Sequence, residues 1–236
     1  MIPKKSFGQN FLHNQAVLSY ISSFLEKGDI ALEIGGGTGN LTSKLVSRAP
    51  KKLFVIELEN EAFGALEAKF KDEKKIKLIH GDFLKLEPFK IDKIFGNIPY
   101  YISSDIVFRL KDWSFRKAYI MLQREFAEKM VAKPRQPNYG RLSVTSQLSF
   151  SVRLLRTVGK TSFRPIPKVD SAIVELEKTE FQMDRRQENL IRRMFSTKNR
   201  KLRNSIKEMI VGNPLENKRP RELTLEEIKQ ILMLGR

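Results

Sequence analysis

Short apolar runs alternate with stretches of helical spacing through the first two thirds of the chain. Val17, Leu18, Ile21, Phe24 and Leu25 recur at steps of three and four and predict a helix over residues 14–27. Ile30 to Ile34 is a compact apolar run followed by a glycine cluster, which predicts a strand, and similar runs stand at 53–57, 76–80 and 91–97. Between and after them, residues 40–48, 60–70 and 103–110 read as helices, and 118–123 reads as a strand leading into a helix over 124–131. Strands separated by helices pair in parallel, so the pattern predicts an α/β fold with a largely parallel sheet covered on both faces. Two prolines between Lys133 and Tyr139 mark a basic loop before a helix over 141–148. The runs 152–158 and 172–176, joined by a proline-rich segment, predict a hairpin closing one edge of the sheet. From Phe181 onward the spacing is purely helical. The expected organisation is therefore a main domain over 1–180 and a small basic helical domain over 181–236.

Charge sharpens this division. The chain of 236 residues carries a formal net charge of +17, from 44 basic and 27 acidic side chains. Residues 1–108 hold 15 basic against 13 acidic groups, whereas 109–168 hold 14 against 3 and 181–236 hold 14 against 7. An excess gathered in the later part of the chain points to a polyanionic partner, nucleic acid first. Arg124, Lys133, Arg135 and Arg141 form one candidate group for phosphate contact, and Lys198, Arg200, Lys201 and Arg203 a second.

Cysteine is absent, which excludes disulfides, thiolate metal sites and a cysteine nucleophile. His13 and His80 are isolated, so no metal site is expected. No segment has the apolar length of a signal peptide or a membrane span, and the expectation is a soluble, cytoplasmic protein without a membrane partner.

The chemistry lies at the ends of the predicted strands. Gly35, Gly37 and Gly39 space a GxGxG turn directly after the first strand of the sheet, which lets the backbone approach a ligand closely. Glu57 ends the next strand, where a carboxylate can take both hydroxyls of a ribose. Asp82 ends the third, placed to accept from an adenine amino group, with Phe83 as an apolar wall. Asn97-Ile98-Pro99-Tyr100 closes the fourth. There an amide oxygen and the Ile98 carbonyl can accept the two hydrogens of a planar amine while the Tyr100 ring stacks on the base. A ribose site, an adenine site and an amine-orienting loop at one sheet edge together fit S-adenosylmethionine as the cofactor. Phe163, set between a Gly-Lys-Thr-Ser loop and two prolines, reads locally either as core or as a second base-stacking ring.

Seven motifs in order carry a resemblance over nearly the whole chain. They are Ser6-Phe7-Gly8-Gln9-Asn10-Phe11-Leu12, the GxGxG turn, Val55-Ile56-Glu57, Gly81-Asp82, Asn97 to Tyr100 followed by Ile102-Ser103, Tyr139-Gly140-Arg141-Leu142-Ser143, and Phe163 to Ser171. The sequence resembles the KsgA-type small-subunit ribosomal RNA adenine dimethyltransferases, with the Erm-type large-subunit ribosomal RNA methyltransferases as near relatives. The resemblance implies a Rossmann-like class I methyltransferase sheet with a small helical C-terminal domain. It implies transfer of methyl groups to the 6-amino group of two adjacent adenines near the 3′ end of small-subunit rRNA. The implied partners are that rRNA and the assembling small ribosomal subunit, met by a monomer. Position by position, it assigns Asn10, Leu12, Gly35, Glu57, Asp82 and Asn97 to the methyl donor, and Asn97, Tyr100 and Phe163 to the target adenine.

The turn departs from the family pattern at Gly36, where proline or another residue is common, and the C-terminal part looks shorter than in bacterial members. Three other readings compete: an Erm-type enzyme, a DNA adenine methyltransferase using the same four-residue loop, and a non-catalytic RNA-binding assembly factor. The opening motif and the Tyr139-to-Ser143 string favour the KsgA branch. The complete loop at Asn97 and the acid at Glu57 favour an enzyme.

Overall fold

The computed structural model describes residues 10–234, so the first four residues of the Ser6-to-Leu12 motif lie outside the described part. The chain divides into two compact units, one running through Ala127 and resuming over Arg153–Lys178, the other made of Glu128–Val152 and Thr179–Arg236.

The first unit opens with β1 (Phe11–Leu12) and α1 (Gln15–Ser22). Asn14 caps that helix, its side-chain oxygen accepting from the backbone N–H groups of Ala16 and Val17. There follow β2 (Ile30–Ile34), α2 (Asn40–Val46), β3 (Lys52–Glu57), α3 (Asn60–Phe70), β4 (Ile76–His80), β5 (Lys93–Asn97), α4 (Ser103–Arg109) and β6 (Lys117–Gln123), which runs into α5 (Arg124–Met130). The chain goes on through α6 (Arg141–Ser149) and β7 (Phe150–Val158), then β8 (Phe163–Arg164) and β9 (Ser171–Lys178).

Seven strands form one sheet in the order β4-β3-β2-β5-β6-β9-β7. Pairing is parallel from β4 to β6, and β9 lies antiparallel on β6 with Gln123 opposite Ser171. The β7 and β9 pair closes one edge, as the two late apolar runs predict. The chain steps outward from β2 to β3 and β4 on one side and to β5 and β6 on the other. Beside β2, therefore, the strand order reverses, and a crevice opens at the carboxyl ends of β2 to β5. Leu32, Leu53, Val55, Ile94, Phe95 and Ile120 are fully buried in this sheet, which holds those strand ends rigidly.

The β1 and β8 pair is a second, two-stranded sheet, with Leu12 opposite Phe163. Two-residue strands carry too little periodicity to be seen in sequence.

The second unit gathers α6, α7 (Arg185–Ser196), α8 (Lys207–Ile210) and α9 (Leu225–Leu234) around Tyr139, Val144, Leu148, Ile191, Met194, Leu202, Ile206, Ile228 and Ile231. Residues 128–152 thus belong with the C-terminal helices, a correction to the single boundary at 180. The reason is packing: Val144 and Leu148 of α6 bury themselves among the helices of this unit. Asp184 starts α7 with a reciprocal cap: its side chain accepts from the Gln187 N–H at 2.8 Å, and the Gln187 side-chain oxygen accepts from the Asp184 N–H at 3.1 Å.

Candidate active site

Two adjoining hollows line the crevice, both within the first unit and sharing Gly35, Glu57 and Pro99. One, with a volume of about 100 Å³, is bounded by Asn10, Leu12, Glu33, Gly37, Asn97 and Tyr100. The other, of about 170 Å³, is bounded by Leu58, Asp82, Phe83, Tyr101 and Ile106. The loops that the sequence assigns to a cofactor and to an amine acceptor therefore meet along one cleft.

The glycine turn shapes its floor. Gly35 sits at φ +77°, a conformation that side chains resist, and a Cβ there would stand in empty space. At Gly36 the constraint is packing: a Cβ would come within 2.6 Å of Val55 Cγ1 and 2.7 Å of Leu66 Cδ1. The departure from the family pattern at Gly36 is thus matched by large side chains filling the space behind the turn.

Glu57 is 6% exposed and held from both sides. One carboxylate oxygen accepts from the Gly37 N–H and the other from the Glu59 N–H, each at 2.9 Å. That leaves lone pairs on a fixed carboxylate at the cleft wall, the pair of acceptors that the two hydroxyls of a ribose diol need as donors. Asp82 is oriented the same way, accepting from the Leu84 N–H at 2.9 Å, and Phe83 stacks on Trp113 with ring centres 5.0 Å apart. An acceptor beside a rigid apolar wall suits an adenine. These residues fit S-adenosylmethionine, with Glu57 for its ribose and the Asp82 and Phe83 corner for its base.

Glu33 is a cleft residue that the sequence reading passed over, although it opens the glycine motif. It lies almost fully buried on β2, and the Thr42 hydroxyl donates to its carboxylate at 2.6 Å. Burial pushes its pKa up to about 8 from an ordinary 4.5; the Thr42 bond opposes the rise and the nearby Glu57 charge adds to it. An acid inside an otherwise apolar strand was the signal available.

On the acceptor side, the Asn97 amide nitrogen donates to the Asn10 carbonyl at 2.9 Å. This fixes which way the amide faces and leaves its oxygen as acceptor. Ile98 is turned by its own N–H, which donates to the Met121 carbonyl at 3.3 Å, and the Pro99 carbonyl accepts from Ile102 N–H at 3.2 Å to start a short helical turn. Tyr100 is half-buried on the cleft wall, its hydroxyl 2.8 Å from Ser171 Oγ; burial pushes its phenol upward, against the opposing Ser171 bond. Leu12 reaches the cleft, and its carbonyl accepts from the Asn40 side chain at 2.9 Å.

Phe163 departs from the expectation of a ring open to a base. It is 1% exposed, pairs with Leu12 through β8 and β1, and packs into the core with Val17, Leu18 and Ile21. In this arrangement its face is covered by neighbouring apolar side chains.

The basic residues divide between the units. Arg124 is exposed at the start of α5 in the first unit; Lys133, Arg135, Arg141, Arg200 and Arg203 are exposed in the second. Lys198 turns inward instead, its ammonium 3.5 and 3.4 Å from the Pro137 and Tyr139 carbonyls, and Lys201 lies 3.4 Å from the Asn217 side chain. The Tyr139-to-Ser143 motif is largely structural: the buried Tyr139 hydroxyl donates to the Leu223 carbonyl at 2.8 Å, and the Ser143 hydroxyl to the Lys129 carbonyl at 2.6 Å.

Comparison with known proteins agrees with this geometry. The chain is 41% identical to a ribosomal RNA small subunit methyltransferase A of Mycoplasma mobile, over 86% of this chain and 83% of that protein. Its fold matches the crystal structure of a dimethyladenosine transferase from Plasmodium falciparum with a TM-score of 0.86 at 29% identity, covering 94% of this chain and 96% of that one. It matches the crystal structure of the 23S rRNA methyltransferase ErmE with a TM-score of 0.71 at 25% identity, covering 95% and 99%. A family model for ribosomal RNA adenine dimethylase fits residues 3–231. With nearly every residue inside that match, and the cleft assembled from the family's own motifs, the chain belongs to the ribosomal RNA adenine dimethylases.

Proposed function

We propose that this protein transfers methyl groups from S-adenosylmethionine to the 6-amino group of adenines near the 3′ end of small-subunit rRNA, during ribosome biogenesis. The observation that carries the reading is the orientation of Asn97. Its amide N–H is occupied by the Asn10 carbonyl, so its oxygen is left to accept from an amine in the hollow that Asn97 lines, two residues before Pro99, which borders both hollows.

S-adenosylmethionine, when bound, supplies an electrophilic methyl on a sulfonium sulfur. The chain's own part is placement. An adenine amine is a weak nucleophile because its lone pair is drawn into the ring, and the Asn97 oxygen and Ile98 carbonyl accept its two hydrogens so that the nitrogen faces the donor side. The same oxygens stabilise the ammonium character that develops on nitrogen, and the released proton passes to water. The Tyr100 ring holds the base plane, which requires an adenine taken out of its stack. The amine keeps one N–H after a first transfer, which permits a second.

Charge favours the partner, since exposed arginines and lysines of the second unit meet the demands of an RNA backbone. We take that partner to be the assembling small subunit, and the protein to act as a cytoplasmic monomer without a metal ion, because displacement at a sulfonium needs no Lewis acid. The test is product analysis. Unmethylated small subunits incubated with donor and enzyme should yield N6,N6-dimethyladenosine by mass spectrometry of the digested rRNA; incorporation on another atom or none at all would overturn the reading.

A further inference from the structure

The segment Phe163 to Ser171 is one of the sequence's most distinctive strings, yet Phe163 lies in the core. The structure gives its other end a different task. Ser171 opens β9, is fully buried, and stands opposite Gln123 of β6, while Met121 of the same strand stands opposite Asn97. Ser171 therefore lies two strands across from Asn97 at the same sheet edge. It lines neither hollow of the cleft. Its hydroxyl reaches the Tyr100 hydroxyl at 2.8 Å.

We infer that Ser171 is a positioning residue for catalysis, anchoring the tip of Tyr100 so that the ring presents one fixed face to the target adenine. Tyr100 is held at its base by the turn that Pro99 begins and at its tip by Ser171. A tyrosine has two side-chain torsions, and pinning both ends removes them. Ser171 is itself immobile because Ser171 and its β9 neighbours pair with β6 residue by residue from Gln123 to Ala118. A ring fixed before the base arrives loses no rotational freedom when it stacks, so the gain appears in the rate of transfer more than in donor affinity. The inference rests on the reading that Tyr100 stacks on the substrate base.

A double-mutant cycle with Ser171→Ala and Tyr100→Phe tests it, using methyl transfer to unmethylated small subunits and donor binding by calorimetry. Each single variant breaks the same bond and should lower kcat by about five- to tenfold, the worth of one hydrogen bond. Donor Kd should stay within about twofold, and the double variant should be no slower than either single one. Losses that multiply would mean that Ser171 acts through packing, and unchanged kcat in Ser171→Ala would also overturn the inference. Should Ser171→Ala unfold, Tyr100→Phe alone carries the test, because it removes the bond without opening a cavity in the sheet; unchanged kcat there is equally contrary. Tyr100→Ala separates the two levels. If it retains full activity the base-stacking reading itself fails, whereas a large loss there with Ser171→Ala unaffected sinks only the positioning role.

Discussion

Glu33 and Glu57 stand on neighbouring strands and differ in how their charge is met. Glu57 is fixed by the N–H groups of Gly37 and Glu59, so Glu57→Ala removes a charged acceptor from the cleft and two supports from its floor. Calorimetry should show donor affinity weakened about tenfold to a hundredfold, the value of a charge-assisted hydrogen bond. Unchanged affinity would remove Glu57 from the donor site. Glu33 behaves in the opposite way, because burial keeps it protonated in the native state up to about pH 8 while the unfolded chain releases the proton above about 4.5. Its contribution to stability therefore declines as pH rises between those values. Glu33→Gln can still accept from Thr42 and should raise Tm at pH 8, by an amount corresponding to a few kcal/mol at most, with little change at pH 5. An equal shift at both pH values would contradict the buried neutral acid.

At the level of elements, the opposite edge of the sheet is secured by an ion cluster built on the buried pair Lys93 and Asp29, with Glu26 and Arg116 exposed at its rim. Lys93, 3% exposed at the start of β5, lies 3.0 Å from both Glu26 and Asp29 and donates to the Phe24 carbonyl at 2.8 Å. Arg116 also reaches Asp29, at 2.5 Å. Lys93→Ala should cost about 2–4 kcal/mol in chemical denaturation, since it strips a partner from a buried carboxylate, with Arg116 limiting the loss. A cost below about 0.5 kcal/mol would show that the cluster is idle. The elements that position the cleft were legible because periodicity and glycine punctuation agreed: β2, α3 and β4 begin and end where the pattern places them. Sequence could not reveal the β1 and β8 pair, which depends on contact between residues about 150 apart. Nor could it reveal that α6 joins the C-terminal helices, because the apolar spacing of Val144 and Leu148 says that a face is buried but not against what. Phe163 shows the same limit at a single position: an aromatic between prolines suits a stacking platform or a core, and burial by its neighbours decides.

For the molecule as a whole, the net charge of +17 sets the physics of association. Affinity for the small subunit should fall linearly in log–log terms with salt, and Arg200→Glu with Arg203→Glu should weaken it and lower the slope by roughly 1–2 while leaving donor affinity unchanged. A salt-independent affinity would argue that these exposed arginines meet no phosphate. The central claim is nearer the chemistry: the Asn97 loop presents an adenine amine to a methyl donor held over the glycine turn. Reverse transcription across the 3′ end of rRNA from treated small subunits reads it directly, since two methyls on N6 block the pairing edge. The wild-type protein should produce stops at adenines there, and Asn97→Ala, still folded by its melting curve, should lose them by about a hundredfold or more in initial rate. Stops that persist undiminished in Asn97→Ala would contradict the account.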